Sequence, residues 1–180
     1  MPSEDMWDEF FNPADVLAKM KITRDVKLLV DIGCGYGTFI LPAAATVKNI
    51  IGIDIDPKML GRCQEIIAER NITNIELILD DISENSYDVH KGSADYVSLF
   101  NILHCEDPLS LLRKAKLILK PDGRVGVIHW KYEKTPRGPS MDIRPKPEQV
   151  ISWAASIDLL LDAQVDLPPY HYGLVFKNPS

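Results

Sequence analysis

Residues 28–37 read LLVDIGCGYG. An apolar run ends in an acid, Asp31, and glycines follow at alternate positions, Gly33, Gly35 and Gly37. Such an unbroken apolar run suits a buried strand of a parallel sheet. The glycines let the chain turn sharply and approach a ligand without Cβ atoms in the way. In an open α/β sheet, ligands bind at the carboxyl ends of the strands near the switch point. A second run, IIGID, ends in Asp54 about 20 residues further on, where an acid suits a ribose. A carboxylate there accepts from two ribose hydroxyls at once. The pattern points to a cofactor that contains a nucleoside.

The 180 residues suit one domain with its own core, here residues 1–180. A net charge of −6 argues against a broad electrostatic footprint for nucleic acid or an anionic membrane. Cys34, Cys63 and Cys105 are widely spaced and form no C-x-x-C, so neither a zinc site nor a disulfide framework is indicated. A reducing cytoplasm is the expected location. The acidic start MPSEDMWDEF has no apolar centre and is not a signal peptide. No apolar run approaches the length of a membrane span.

Strand-like runs alternate with helical patterns, the order of a parallel sheet covered by helices. Strands are expected at about 27–32, 50–54, 75–79, 95–100 and 124–129. Helices are expected at about 13–20, 37–46, 57–69, 108–119 and 147–156. Asp56-Pro57 and Asp107-Pro108 each supply an N-cap and a proline at the first helical position. Lys120-Pro121-Asp122-Gly123 is expected to stop the helix before it. Residues 83–93 are polar and read as loop, and 131–147 as a long substrate-side loop. Runs at about 158–166 and 171–176 flank Pro168-Pro169 and suit an antiparallel hairpin at one sheet edge.

A dinucleotide fingerprint needs its third glycine at position 38, where Thr38 stands. The spacing instead resembles motif I of the class I S-adenosylmethionine-dependent methyltransferases. The order of further signals strengthens the resemblance: Asp54, then LILDDI at 77–82, ADYVSLFNILHCEDP at 94–108, and LLRKAKLILKPDGRV at 111–125. Asp122 stands where that last block usually has glycine, which a turn tolerates. FFNPADVLAKM and NILHCEDP resemble, more weakly, the quinone-biosynthesis subgroup of small-molecule methyltransferases.

The resemblance implies a Rossmann-like, doubly wound α/β fold. Its seven-stranded sheet would be mostly parallel with an antiparallel last strand. S-adenosyl-L-methionine is the implied cofactor. Asp31, Gly33, Cys34, Gly35, Tyr36 and Gly37 would form its loop, and Asp54 would hold the ribose. Ile55 would pack on the adenine, Asp81 would accept from its amino group, and the Ile82 backbone would meet the ring. Carbonyls near Phe100 and Asn101 would face the methionine end.

Methyl transfer needs position and a dry site more than a triad. A base helps when the acceptor is a hydroxyl or an acidic carbon, and His104 is the candidate. His129 reads as a packed or hydrogen-bonded histidine. Tyr170, His171 and Tyr172 read as structural or rim residues. Trp7, Phe10 and Phe11, in a helical segment over 1–26, serve either as an apolar lid or as core packing. Arg137 and Arg144 either bind an anionic substrate group or form a solvated basic loop. The expected partner is a small-molecule substrate, with no nucleic acid, no membrane and a homodimer as an option. Cys105 raises a thiol or metalloid role, but the needed cysteine cluster is not visible. No Asp/Asn-Pro-Pro-aromatic block follows strand four, against a nucleic-acid amino-methylase. The alternatives are a non-catalytic cofactor-binding module or partner subunit and a nicotinamide-dependent oxidoreductase.

Overall fold

The apolar runs become the strands of one sheet in the computed structural model, which describes residues 12–82 and 91–179. The strands are β1 (Leu28–Ile32), β2 (Asn49–Asp54), β3 (Ile75–Leu79), β4 (Ala94–Phe100), β5 (Leu119–Trp130), β6 (Leu160–Leu167) and β7 (His171–Lys177). Among the described residues the seven lie in the order β3-β2-β1-β4-β5-β7-β6. β1 to β5 pair parallel, and β7 runs antiparallel to both β5 and β6. This is the expected doubly wound sheet with an antiparallel last strand. The order reverses between β1 and β4, and their carboxyl ends flank the crevice of the switch point.

Alternate residues of each strand serve the two faces. Val30, Val97, Leu99 and Val127 join a core covered by helices α4 (Pro108–Ile118) and α5 (Pro147–Ala155). Leu29, Tyr96, Phe100 and Ile128 face the other way. That face is covered by α1 (Pro13–Lys19), α2 (Ile40–Ala43) and α3 (Pro57–Glu69). The Tyr96 hydroxyl donates to the Met20 carbonyl at 2.8 Å, tying the chain after α1 to β4. Residues 12–26 thus pack under the sheet. Trp7, Phe10 and Phe11 lie outside the described residues, as do 83–90 of the expected loop.

Two boundaries differ from expectation. The helix expected over 37–46 is α-helical only at Ile40–Ala43, with turns on both sides. Pro42 sits in its middle and has no N–H to add to the helical ladder. The fifth strand starts at Leu119 rather than about 124, because α4 passes directly into it. Leu119 pairs with Ala94, and a register shift follows before Tyr96 meets Arg124. Asp122 adopts φ 64 there, a left-handed conformation that aspartate tolerates, and its carboxylate pairs with Lys177 at 2.7 Å.

Candidate cofactor and acceptor site

A cavity of about 650 Å³ opens in the crevice at the switch point. The turn after β1, the segment after β4 and the loop after β5 line it. It brings together Asp31, Gly33, Cys34, Gly35, Tyr36, Phe100, Asn101 and His104 of the expected set.

The turn after β1 needs glycine at position 33. Gly33 has φ +76, and a Cβ there would lie 2.7 Å from Ile102 Cγ2, across the crevice. The Gly33 and Cys34 amides donate to the Ile53 carbonyl at 2.8 and 3.1 Å. The Gly35 amide donates to Asp54 Oδ2 at 2.7 Å, and Asp56 N donates to Asp54 Oδ1 at 2.9 Å. Asp54 is buried, and a carboxylate has lone pairs beyond those two. Gly37 lies outside the cavity lining. Its φ is +95, and a Cβ there would meet Cys63 Sγ and Leu41 Cγ, both at 2.8 Å. Gly37 therefore seats the turn against α3.

Asp31 is buried at the floor, and the Ser98 hydroxyl donates to its Oδ1. Burial pushes its carboxyl up to about 7; the Ser98 bond opposes the rise and the nearby Asp54 charge adds to it. Asn101 follows β4 in a left-handed conformation, φ 58, and its N–H donates to the Ile128 carbonyl at 2.7 Å. Its Oδ1 is buried without a hydrogen-bond partner among the described residues. A glycine cradle, an unmatched amide oxygen and a buried carboxyl at one end of a crevice fit a cofactor that carries an ammonium group.

Asp54, Ile55, Asp81 and Ile82 do not line the cavity. They sit beside it at the ends of β2 and β3, where Asp80 N donates to the Asp54 carbonyl at 3.1 Å. Ile55 is 65% exposed and Asp81 half-buried. The Ile82 side chain is in the core, and its carbonyl accepts from Lys114 Nζ.

On the acceptor side, His104 lines the cavity and its Nδ1 lies 3.3 Å from Nε2 of His129. Burial pulls the His104 pKa below the usual value. It pulls His129 down to about 3, with the His104 charge adding to the effect. Thr38, Phe39, Ile102, Trp130, Gly138 and Pro139 also line the cavity, and sequence reasoning passed over them. The signal for Trp130 was its place at the carboxyl end of the fifth strand. Phe39 and Phe100 meet edge to face at 4.8 Å, an apolar wall.

One expectation is corrected. Arg144 is neither an anion site nor solvated: it is 5% exposed. It donates to the carbonyls of Lys131 at 2.9 Å, Glu133 at 2.9 Å and Pro139 at 2.6 Å, and to Thr135 Oγ1 at 3.1 Å. It pins the loop of which Arg137, Gly138 and Pro139 face the cavity. Of the two readings of His171 and Tyr172, structural or rim, burial supports the structural one. Among the described residues no cluster of histidine, cysteine or acidic side chains could hold a metal ion, and no helix is long and apolar enough to cross a membrane.

The chain matches the family described as "Methyltransferase domain" over residues 29–123. It belongs to that family. The family bears out the methyltransferase reading and S-adenosylmethionine as its cofactor. Over 125 residues the chain is 34% identical to nocamycin O-methyltransferase of Saccharothrix syringae, covering 66% of this chain and 44% of that protein. Over 100 residues it is 30% identical to a ubiquinone biosynthesis O-methyltransferase of Actinobacillus pleuropneumoniae, covering 54% and 43%. A probable ribosomal RNA small subunit methyltransferase A of Methanosphaera stadtmanae is 33% identical over 70 residues, 39% of this chain and 26% of that protein. The chain thus spans less than half the length of the curated relatives it matches. Its fold is that of a crystallised SAM-dependent methyltransferase from Aquifex aeolicus, with a TM-score of 0.84, 21% identity and coverage of 94% and 91%.

Proposed function

We propose that this methyltransferase domain carries a methyl group from S-adenosylmethionine to a small-molecule acceptor. One observation carries the reading. The glycine turn and Asp31 share a single cavity with His104, Trp130 and Arg137, so cofactor and acceptor residues face the same space. The cavity volume, about 650 Å³, is that of a small-ligand site. The net charge of −6 also favours a small acceptor over RNA. The O-methyltransferase relatives point the same way.

The bound cofactor supplies an activated sulfonium methyl group. The chain supplies position. Asp54 accepts from the ribose hydroxyls. Ile55 forms an adenine wall, Asp81 accepts from the amino group, and the Ile82 backbone meets the ring. Asp31 and Asn101 Oδ1 take the ammonium end. Phe39, Phe100 and Trp130 keep water out, and His104 contacts the acceptor. Alignment of the acceptor atom with the methyl group is worth roughly 7–11 kcal/mol when geometry is ideal.

The test is incubation with methyl-labelled S-adenosylmethionine and either a small-molecule extract or total RNA. Label appears in the small-molecule fraction and not in the RNA. Label in RNA alone would overturn the acceptor class, and no label in either would favour a non-catalytic module.

A further inference from the structure

We propose that Arg137 selects the acceptor: the small molecule carries a carboxylate or phosphate, set apart from the atom that takes the methyl group, and Arg137 holds that anion at the cavity mouth. The inference rests on the methyl-transfer reading and names the substrate class of that site.

Charge in the cavity is sparse. Among the described residues that line it, Arg137 is the one lysine or arginine and Asp31 the one acid. Burial keeps His104 below its usual pKa, so at neutral pH it adds no full positive charge. Tyr36, Phe39, Phe100, Ile102 and Trp130 supply aromatic and apolar walls. A ligand that matches has an apolar body and one anionic group.

The backbone on both sides of Arg137 is fixed. Its carbonyl accepts from the Thr135 hydroxyl. Thr135 Oγ1 in turn accepts from Arg144, which also donates to the Pro139 carbonyl at 2.6 Å. Gly138 adopts φ +110, and a Cβ there would lie 2.8 Å from Trp130 Cδ2. The guanidinium therefore starts from a set backbone position next to Trp130, which reduces the entropy lost on pairing. Arg137 is also exposed, as suits a residue that meets a ligand arriving from water.

Long-range charge favours an anion as well. The net charge of −6 repels anions at a distance, and a cation at the mouth reverses that locally. The bound cofactor adds a sulfonium, so a cationic amine would face two positive charges, whereas an anion is attracted by both. The cofactor's own carboxylate is the rival occupant. It is bonded to the carbon that bears the ammonium, so it stays close to Asp31. Asp31 lies on β1, and the loop bearing Arg137 leaves β5, two strands away in the order β1-β4-β5. At about 4.8 Å between strands the separation is roughly 10 Å, which favours the acceptor's anion.

The test uses methyl-labelled S-adenosylmethionine and a small-molecule extract, with the products passed over an anion exchanger at pH 7 and again at pH 2. The cofactor is cationic and runs through. The label is expected to be retained at pH 7; release at pH 2 marks a carboxylate and retention a phosphate. Ion pairs open to water are weak, so Arg137→Gln should slow labelling of that product by about fivefold, and Arg137→Lys should recover part. S-adenosylhomocysteine affinity should stay within about twofold, because the cofactor end is built from other segments. Added salt should slow the unchanged chain and leave Arg137→Gln unaffected, a response that a structural role would not give. Label in unretained products overturns the proposal, as does labelling by Arg137→Gln at the full rate. A fall in S-adenosylhomocysteine affinity that matches the fall in labelling would move Arg137 to the cofactor's carboxylate and overturns it too. No label in any fraction sinks the methyl-transfer reading itself, and this inference with it.

Discussion

The Gly35 amide donates to Asp54 Oδ2 at 2.7 Å, so the turn after β1 and the end of β2 form one unit. Asp54→Ala removes that bond and the one from Asp56 N. We expect a loss of about 1–3 kcal/mol in urea unfolding, the cost of stranding buried donors. S-adenosylhomocysteine affinity should fall by at least about tenfold, because a turn misplaced by a fraction of an ångström loses its contacts along with the proposed ribose acceptor. Asp54→Asn keeps one acceptor oxygen and should fall between the two.

Asp31 gives the fold a pH signature. Its folded pKa is about 7 against an ordinary 3.8. Between those values the folded chain holds a proton that the unfolded chain has released. The contribution to stability is complete below pH 3.8 and is lost as pH rises through about 7. Buried His129 and His171 act with the opposite sign. Burial pulls each from 6.5 to about 3, so their contribution is complete above pH 6.5 and lost as pH falls through about 3. Asp31→Asn isolates the first effect. Relative to wild type, its Tm should gain on the order of 5 °C between pH 5 and pH 8. Parallel Tm curves for the two proteins would contradict the assignment.

Gly37→Ala tests whether the turn is seated by packing. Its φ of +95 and the 2.8 Å approach to Cys63 Sγ leave no room for a methyl group. A loss of about 1–3 kcal/mol is expected by thermal melting. The double variant with Cys63→Ala should recover part of the steric share and none of the backbone share.

Arg144 pins the acceptor-side loop through four acceptors spread over residues 131–139. Arg144→Ala should cost at least about 2 kcal/mol, since the bonds come from a buried charged group. It should speed tryptic cleavage within residues 131–146 and leave S-adenosylhomocysteine affinity within about threefold, because the cofactor end is built from other segments. Arg144→Lys should not rescue, as an ammonium lacks the planar fork that reaches several carbonyls.

The sheet and the turn after β1 were legible because backbone chemistry writes them in consecutive residues. An apolar run, an acid and spaced glycines specify strand, acceptor and turn locally. Asp31, Gly33 and Gly35 were placed that way, whereas Asn101 came only from the family resemblance. Of the other end of the cavity only His104 and Arg137 were legible, because long-range packing builds the rest. Arg144 reads as a surface cation until its loop folds around it. His129 reads as a core histidine until β5 sets its Nε2 beside His104. Gly138 and Pro139 reach the cavity only through the path of a long loop. The short α2 shows the same limit, since its apolar pattern outlasts the helix that Pro42 permits.

The most direct measurement is calorimetric titration of the chain with S-adenosylmethionine and S-adenosylhomocysteine, with NADH as control. The account requires micromolar binding of both sulfur compounds at one site per chain and no binding of NADH. Binding of NADH alone, or of none of the three, would contradict it.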